Sequence, residues 1–167
     1  MNTLITTAIL LIIASPIFAS TVEFDQSGEN SQIQLYVEKP LSEKIGAFLY
    51  NCQSENWGQT RVGLTYTPIA TVKVGFGAGI ETGGTRIGGS IWAGKEKLSG
   101  IYFLESGPGG TWDKLVTKYQ FNDKLALGWN KKMYAGQGFY AEFKLSKEAT
   151  VKYSGFETPE IALQFSF

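Results

Sequence analysis

The chain has 167 residues, enough for one domain, and its 15 basic residues balance 15 acidic ones, so no overall charge recruits a nucleic acid. Histidine is absent and Cys52 is the one cysteine, which excludes an internal disulfide and any metal site built from His and Cys. No acidic loop has the ligand density of a calcium site, and no cofactor is expected.

Charged residues make up 18 % of the chain and aromatics 14 %, with 20 glycines. That is little charge for a surface facing water. A mean hydropathy near zero also argues against a bundle of membrane helices. The mixture suits strands that each carry one apolar face.

In chain order, Met1 to Ala19 reads as a secretory signal peptide. An apolar core runs from Ile5 through Ala14, Pro16 breaks it, and Ile17-Phe18-Ala19 precedes Ser20. The core is shorter than the roughly 20 apolar residues that cross a bilayer as a helix. Met1-Asn2-Thr3 holds no Lys or Arg, so the α-amino group is the positive charge ahead of it. Cleavage is expected after Ala19, with Ser20 as the rival position, which leaves residues 20–167 as the mature domain.

From residue 21 onward apolar and polar residues alternate, the period of a strand with two unlike faces. Strands are expected near 21–26, 31–39, 45–54, 59–67, 71–81, 85–94, 97–106, 111–121, 124–132, 136–145, 149–156 and 160–167. The pattern predicts an all-β, antiparallel, up-and-down transmembrane β-barrel of about twelve strands, with ten or eight as alternatives. Most segments are close to the roughly 9–11 residues that a tilted strand needs to cross hydrocarbon. Every second connection is short, from Pro40-Leu41-Ser42-Glu43 and Thr67-Pro68-Ile69-Ala70 through Lys95-Glu96 and Asn122-Asp123 to Ser146-Lys147-Glu148. The alternate ones, such as Gln53 to Gly58, Ser106 to Gly110 and Lys131 to Gln137, look longer and richer in glycine.

A soluble barrel alternates too, with its apolar residues inward. Here the apolar faces, such as Val72, Val74, Phe76, Ala78 and Ile80, hold almost no charge. Aromatics sit near their ends at Tyr66, Tyr119, Phe121, Trp129, Tyr153 and Phe167, as an interfacial girdle would. The opposite faces supply the candidate lumen lining: Arg61, Lys73, Glu81, Arg86, Trp92, Glu105, Lys114, Lys118, Tyr140, Glu142, Lys144 and Lys152. Two segments break the rule. Phe48, Tyr50 and Cys52 make both faces apolar between Ile45 and Cys52, and Ile101 and Phe103 intrude on a polar face; they either fill part of the lumen or form a small apolar pocket.

The ending Pro159-Glu160-Ile161-Ala162-Leu163-Gln164-Phe165-Ser166-Phe167 resembles the C-terminal assembly signal of Gram-negative outer-membrane β-barrel proteins, in which a final Phe follows apolar residues at alternate positions. Ile161, Leu163, Phe165 and Phe167 match. The resemblance covers one strand and the general patterning, not a specific family. It implies recognition by the barrel-assembly machinery and a place among the lipids of the bacterial cell outer membrane.

Catalytic chemistry is not expected. Outer-membrane barrel enzymes generally use a histidine base, and none is present. Gly89 to Lys95 has the glycine and lysine spacing of a phosphate loop, but Glu96 stands where a hydroxyl would be needed and the segment reads as a strand. Gly75, Gly77 and Gly79 form a period-two row, expected to leave room for a large neighbour such as Trp92. The leading expectation is a passive channel, or porin, for ions or small solutes, with a basic lean around Lys114 and Lys118. The alternatives are a lumen shut by charge pairing, with function in loops bearing Trp57, Trp112 and Met133-Tyr134, and a soluble secreted barrel holding a small apolar ligand.

Overall fold

A computed structural model describes residues 19–167. The signal-peptide expectation therefore lies outside the described residues, save for Ala19. Alternation becomes twelve strands in chain order: β1 (Ala19–Ser27), β2 (Asn30–Pro40), β3 (Ile45–Ser54), β4 (Gly58–Ile69), β5 (Val72–Glu81), β6 (Gly84–Lys95), β7 (Leu98–Gly107), β8 (Gly110–Gln120), β9 (Leu125–Lys132), β10 (Gly136–Lys144), β11 (Ala149–Ser154) and β12 (Glu160–Ser166). Each pairs antiparallel with the next, and β1 pairs with β12 from Thr21–Ser166 to Ser27–Glu160, so the sheet closes on itself.

Three of the five turns at the end of the barrel that holds Phe167 share one local device. In Leu41–Lys44, Phe121–Lys124 and Leu145–Glu148 the second residue is Ser42, Asn122 or Ser146. Its side-chain oxygen accepts hydrogen bonds from the last loop residue and the first strand residue that follows. Such a side chain replaces a backbone acceptor and sets a tight turn. Pro68, which has no N–H to donate, falls where the β4–β5 register shifts between Tyr66 and Ile69.

The connections at the opposite mouth are shorter than the glycine-rich runs suggested. They comprise residues 28–29, 55–57, 82–83, 108–109, 133–135 and 155–159, so none exceeds five residues. Gly84, Gly110 and Gly136, each at positive φ, are the first residues of strands rather than loop residues. Only a residue without Cβ takes that conformation cheaply, so the ladder starts directly at the turn.

Sidedness is the reverse of that in a soluble protein. Phe76 and Ile80 stand 65 % and 69 % exposed, whereas Arg86 and Glu105 are each 4 % exposed. Val62, Leu64, Ile91, Phe139 and Ile161 join the outward apolar band. Charges on the outward parity keep close to strand ends, at Lys39, Lys95, Asp113 and Lys131. Tyr66, Tyr119, Phe121, Trp129, Tyr153 and Phe167 all face outward and flank the band. A closed sheet with such an exterior is matched to hydrocarbon, because each backbone group is paired and no strand edge remains.

Depth in that hydrocarbon sets the cost of a new charge. Phe76→Arg, at mid-strand, is expected to lower the stability of the vesicle-inserted barrel by about 2–4 kcal/mol, and Thr85→Arg, next to a turn, by about 1 kcal/mol or less. Urea titration of the two variants in lipid vesicles measures both, and equal costs would contradict a lipid-facing belt.

Candidate functional site

Glycine rows decide where large side chains lie inside the barrel. Gly63, Gly77 and Gly88 stand in register on β4, β5 and β6. A Cβ at Gly63 or Gly77 would come within 2.5 or 2.7 Å of the Phe48 ring, so that ring lies across both positions. At Gly88 a Cβ would strike the Arg61 guanidinium. Trp92, the neighbour expected over the glycines of β5, instead covers Gly94 on its own strand, where a Cβ would be 2.6 Å from its ring. The β5 positions serve Phe48, Ser90 Oγ and the backbone at Thr60–Arg61.

Through this space runs a buried ionic network. The Arg61 guanidinium pairs with Glu105, Arg86 Nη1 lies 3.5 Å from the same carboxylate, and Arg86 Nε pairs with Glu81 at 2.5 Å. Gly109 N–H donates to Glu81 at 3.0 Å, which ties the β7–β8 turn to the network. Gln59 Nε2 donates to Glu105. Arg61 also stacks over Tyr50 at 5.0 Å and Arg86 over Trp57 at 5.8 Å, contacts that suit the flat, weakly hydrated guanidinium.

Four further pairs complete the lining. Lys73 meets Glu38, which also accepts from Tyr36 and Thr65. Lys118 meets Glu142, itself bonded by Tyr140. Lys132 meets Glu160 at 2.6 Å, and Lys152 meets Glu23. No pair reaches beyond the third strand along a wall of twelve. The charges are therefore tied as short chords along the wall. A cavity of about 980 Å3 remains, lined from Trp57, Gly109 and Tyr134 at one mouth to Thr21, Lys73 and Trp92 towards the other.

The twelve residues assigned to the lumen from the sequence all lie on the inward parity. Arg61, Lys73, Arg86, Trp92, Glu105, Lys114, Tyr140, Glu142 and Lys152 line the cavity. Glu81 is held in the wall by Arg86, Lys118 is turned to Glu142, and Lys144 is exposed at the end of β10. The basic lean expected at Lys114 and Lys118 thus reduces to Lys114. Trp57 and Trp112, read as loop residues, also line the cavity. Lys132, where the strand expected at 124–132 overlaps the connection expected from Lys131, also lines the cavity; the inward series Ala126, Gly128, Asn130, Lys132 carries the signal for it. Phe48, Tyr50, Cys52, Ile101 and Phe103 all face the cavity, so the two breaks in the pattern are apolar stretches of its wall. Among the described residues no three acidic or cysteine side chains come together to hold a metal.

A closed antiparallel barrel with an apolar exterior and its paired charges turned inward is a transmembrane β-barrel. No protein-family model matches the chain, and no curated protein is similar to it in sequence. The fold does have solved counterparts. The KdgM porin in complex with disordered oligogalacturonate superposes with a TM-score of 0.63 and 14 % identity, over 90 % of this chain and 99 % of that one. The structure described as the KdgM porin gives 0.61 and 13 % with the same coverage. The NanC porin gives 0.50 and 11 %, over 89 % and 97 %. At these identities the likeness is one of fold.

The network and the chords differ in burial, and their energies should differ with it. Glu105→Ala leaves two buried guanidiniums short of a partner and is expected to cost about 3–5 kcal/mol. Lys118→Met breaks a pair whose lysine side chain is 32 % exposed, and should cost about 1 kcal/mol or less. Equilibrium unfolding of the inserted barrels compares them.

Proposed function

We propose that the chain is a passive channel of the bacterial outer membrane for ions or small hydrophilic solutes. The observation that carries this reading is the chord arrangement. Among the described residues seven ion pairs hold most of the inward charges against the wall and leave a cavity of about 980 Å3 that runs most of the barrel's length. The fold-level likeness to proteins described as porins supports it.

No catalytic role accompanies this reading, since the lumen offers no histidine base. The surrounding lipids and the barrel-assembly machinery are the proposed partners. For the latter, Ile161, Leu163 and Phe165 present an outward apolar edge on β12, continued by Phe167, beside the closing strand β1. One counterpart carries oligogalacturonate, a polyanion. Of the six cations lining this cavity, Arg61, Lys73, Arg86, Lys132 and Lys152 are already paired with carboxylates, so it offers no continuous track of free positive charge. A small solute fits this bore better than an acidic polymer.

The refolded chain, residues 20–167, is expected to give discrete, stable current steps in a planar bilayer in KCl. Potassium and chloride should permeate within a few-fold of one another, because paired charges select weakly. Protein shown to be inserted and yet silent would overturn the channel reading in favour of a closed barrel.

A further inference from the structure

We infer that the lumen holds a subsite for an organic monoanion with an apolar body, of the class of aryl monocarboxylates. The inference rests on the channel reading for access of the solute to the bore. It starts from the one cavity-lining cation that the chords leave over. Lys114 has no carboxylate partner and no side-chain hydrogen bond among the described residues, and it faces the cavity.

Its surroundings are the second observation. The register places six inward side chains in a two-by-three grid on β6, β7 and β8. One row is Trp92, Ile101 and Val116, and the next is Ser90, Phe103 and Lys114. All six line the cavity. Strand spacing makes this patch roughly 10 Å by 7 Å, the footprint of one ring with a short chain. Four of its members are apolar, one is a hydroxyl, and the ammonium stands at a corner.

These elements select by charge and by body together. An ammonium bordered by Phe103 and Val116 loses solvent screening, so its attraction for an anion strengthens. An acid with a hydrophobic body satisfies Lys114 and covers the apolar surface at once. A second acidic group finds no second free cation on this wall, because neighbouring Lys132 is taken by Glu160. An organic cation finds no unpaired carboxylate on the cavity wall either, since Glu23, Glu38, Glu105, Glu142 and Glu160 each hold a cation. Asp25, the inward carboxylate without a cation, accepts from Gln32 and Gln34 and lies off the cavity wall.

Phenylacetate, acetate and 2-phenylethylamine serve as probes, with two readouts on the vesicle- or bilayer-inserted chain of residues 20–167. Conductance in KCl reports the channel, and tryptophan fluorescence titration reports the subsite. Phenylacetate is expected to block the current and to shift fluorescence saturably, with acetate and 2-phenylethylamine at least about tenfold weaker in both. Lys114→Gln should weaken phenylacetate about tenfold or more, Lys114→Arg should retain it, and Phe103→Gln should bring phenylacetate down to the level of acetate. Trp92→Phe and Trp112→Phe together should remove most of the fluorescence response, since both indoles line the cavity beside the patch. Saturable fluorescence without KCl current would sink the channel and keep the subsite. KCl current with phenylacetate and acetate indistinguishable, or with Lys114→Gln unchanged in a barrel that still inserts, overturns the subsite and keeps the channel.

Discussion

The backbone ladder between β1 and β12 is the constraint on which the rest depends. In hydrocarbon an unpaired N–H or C=O costs several kcal/mol, and a sheet with two free edges would present a row of them. The pairing of Thr21 to Ser27 with Glu160 to Ser166 removes both edges. Once the ring closes, each strand's register is held by two neighbours, and no strand can slip by one residue without turning its apolar face into the bore. Sidedness therefore follows from closure. Phe76 and Ile80 have nowhere to go but out, and Arg86 and Glu105 nowhere but in.

Inward placement creates a second problem, since charges packed side by side in a narrow bore lose much of their hydration. The structure resolves it with matched signs at short range. Arg61 reaches Glu105 past Gly88, and Lys73 reaches Glu38 from three strands away. The glycines let these crossings lie low against the wall. Pairing and openness, which the sequence presents as alternatives, are compatible because the pairs run along the wall and not across the bore. Overall electroneutrality has its counterpart here: the lining is close to balanced, and Lys114 stands out as the cation that the balance omits.

Much of this was legible in the chain. The twelve strands and their two faces follow from period-two alternation, and the same parity flags Phe48, Tyr50, Cys52, Ile101 and Phe103 as apolar intruders on a polar face. Strand tips were less legible. Gly84, Gly110 and Gly136 look like loop residues, because composition does not reveal that a glycine at positive φ can start a ladder. Lys132 and Trp112 sit at strand tips where strand and connection overlap in the sequence, and Trp57 lines the lumen from the connection itself. Ion-pair partners were not legible at all. Arg61 and Glu105 are 44 residues apart, and only the register of three intervening strand pairs brings them together. Which large side chain fills a glycine row depends on the same information, and so Phe48 takes the place proposed for Trp92.

The seam that closes the ring also brings the two ends of the described chain side by side, with hydrogen bonds between Ser20 and Phe167 of 3.2 and 3.1 Å. Every other neighbouring pair of strands is joined by a tight local hairpin, three of them carrying the same side-chain-capped turn. The seam is thus one of twelve antiparallel pairings around the ring, and the one not spanned by a hairpin among the described residues. Joining the ends through a short peptide and cutting any of the capped turns would yield a circular permutant with the same wall and the same bore. The order in which the strands are threaded is a property of the covalent chain, and the finished barrel does not need it.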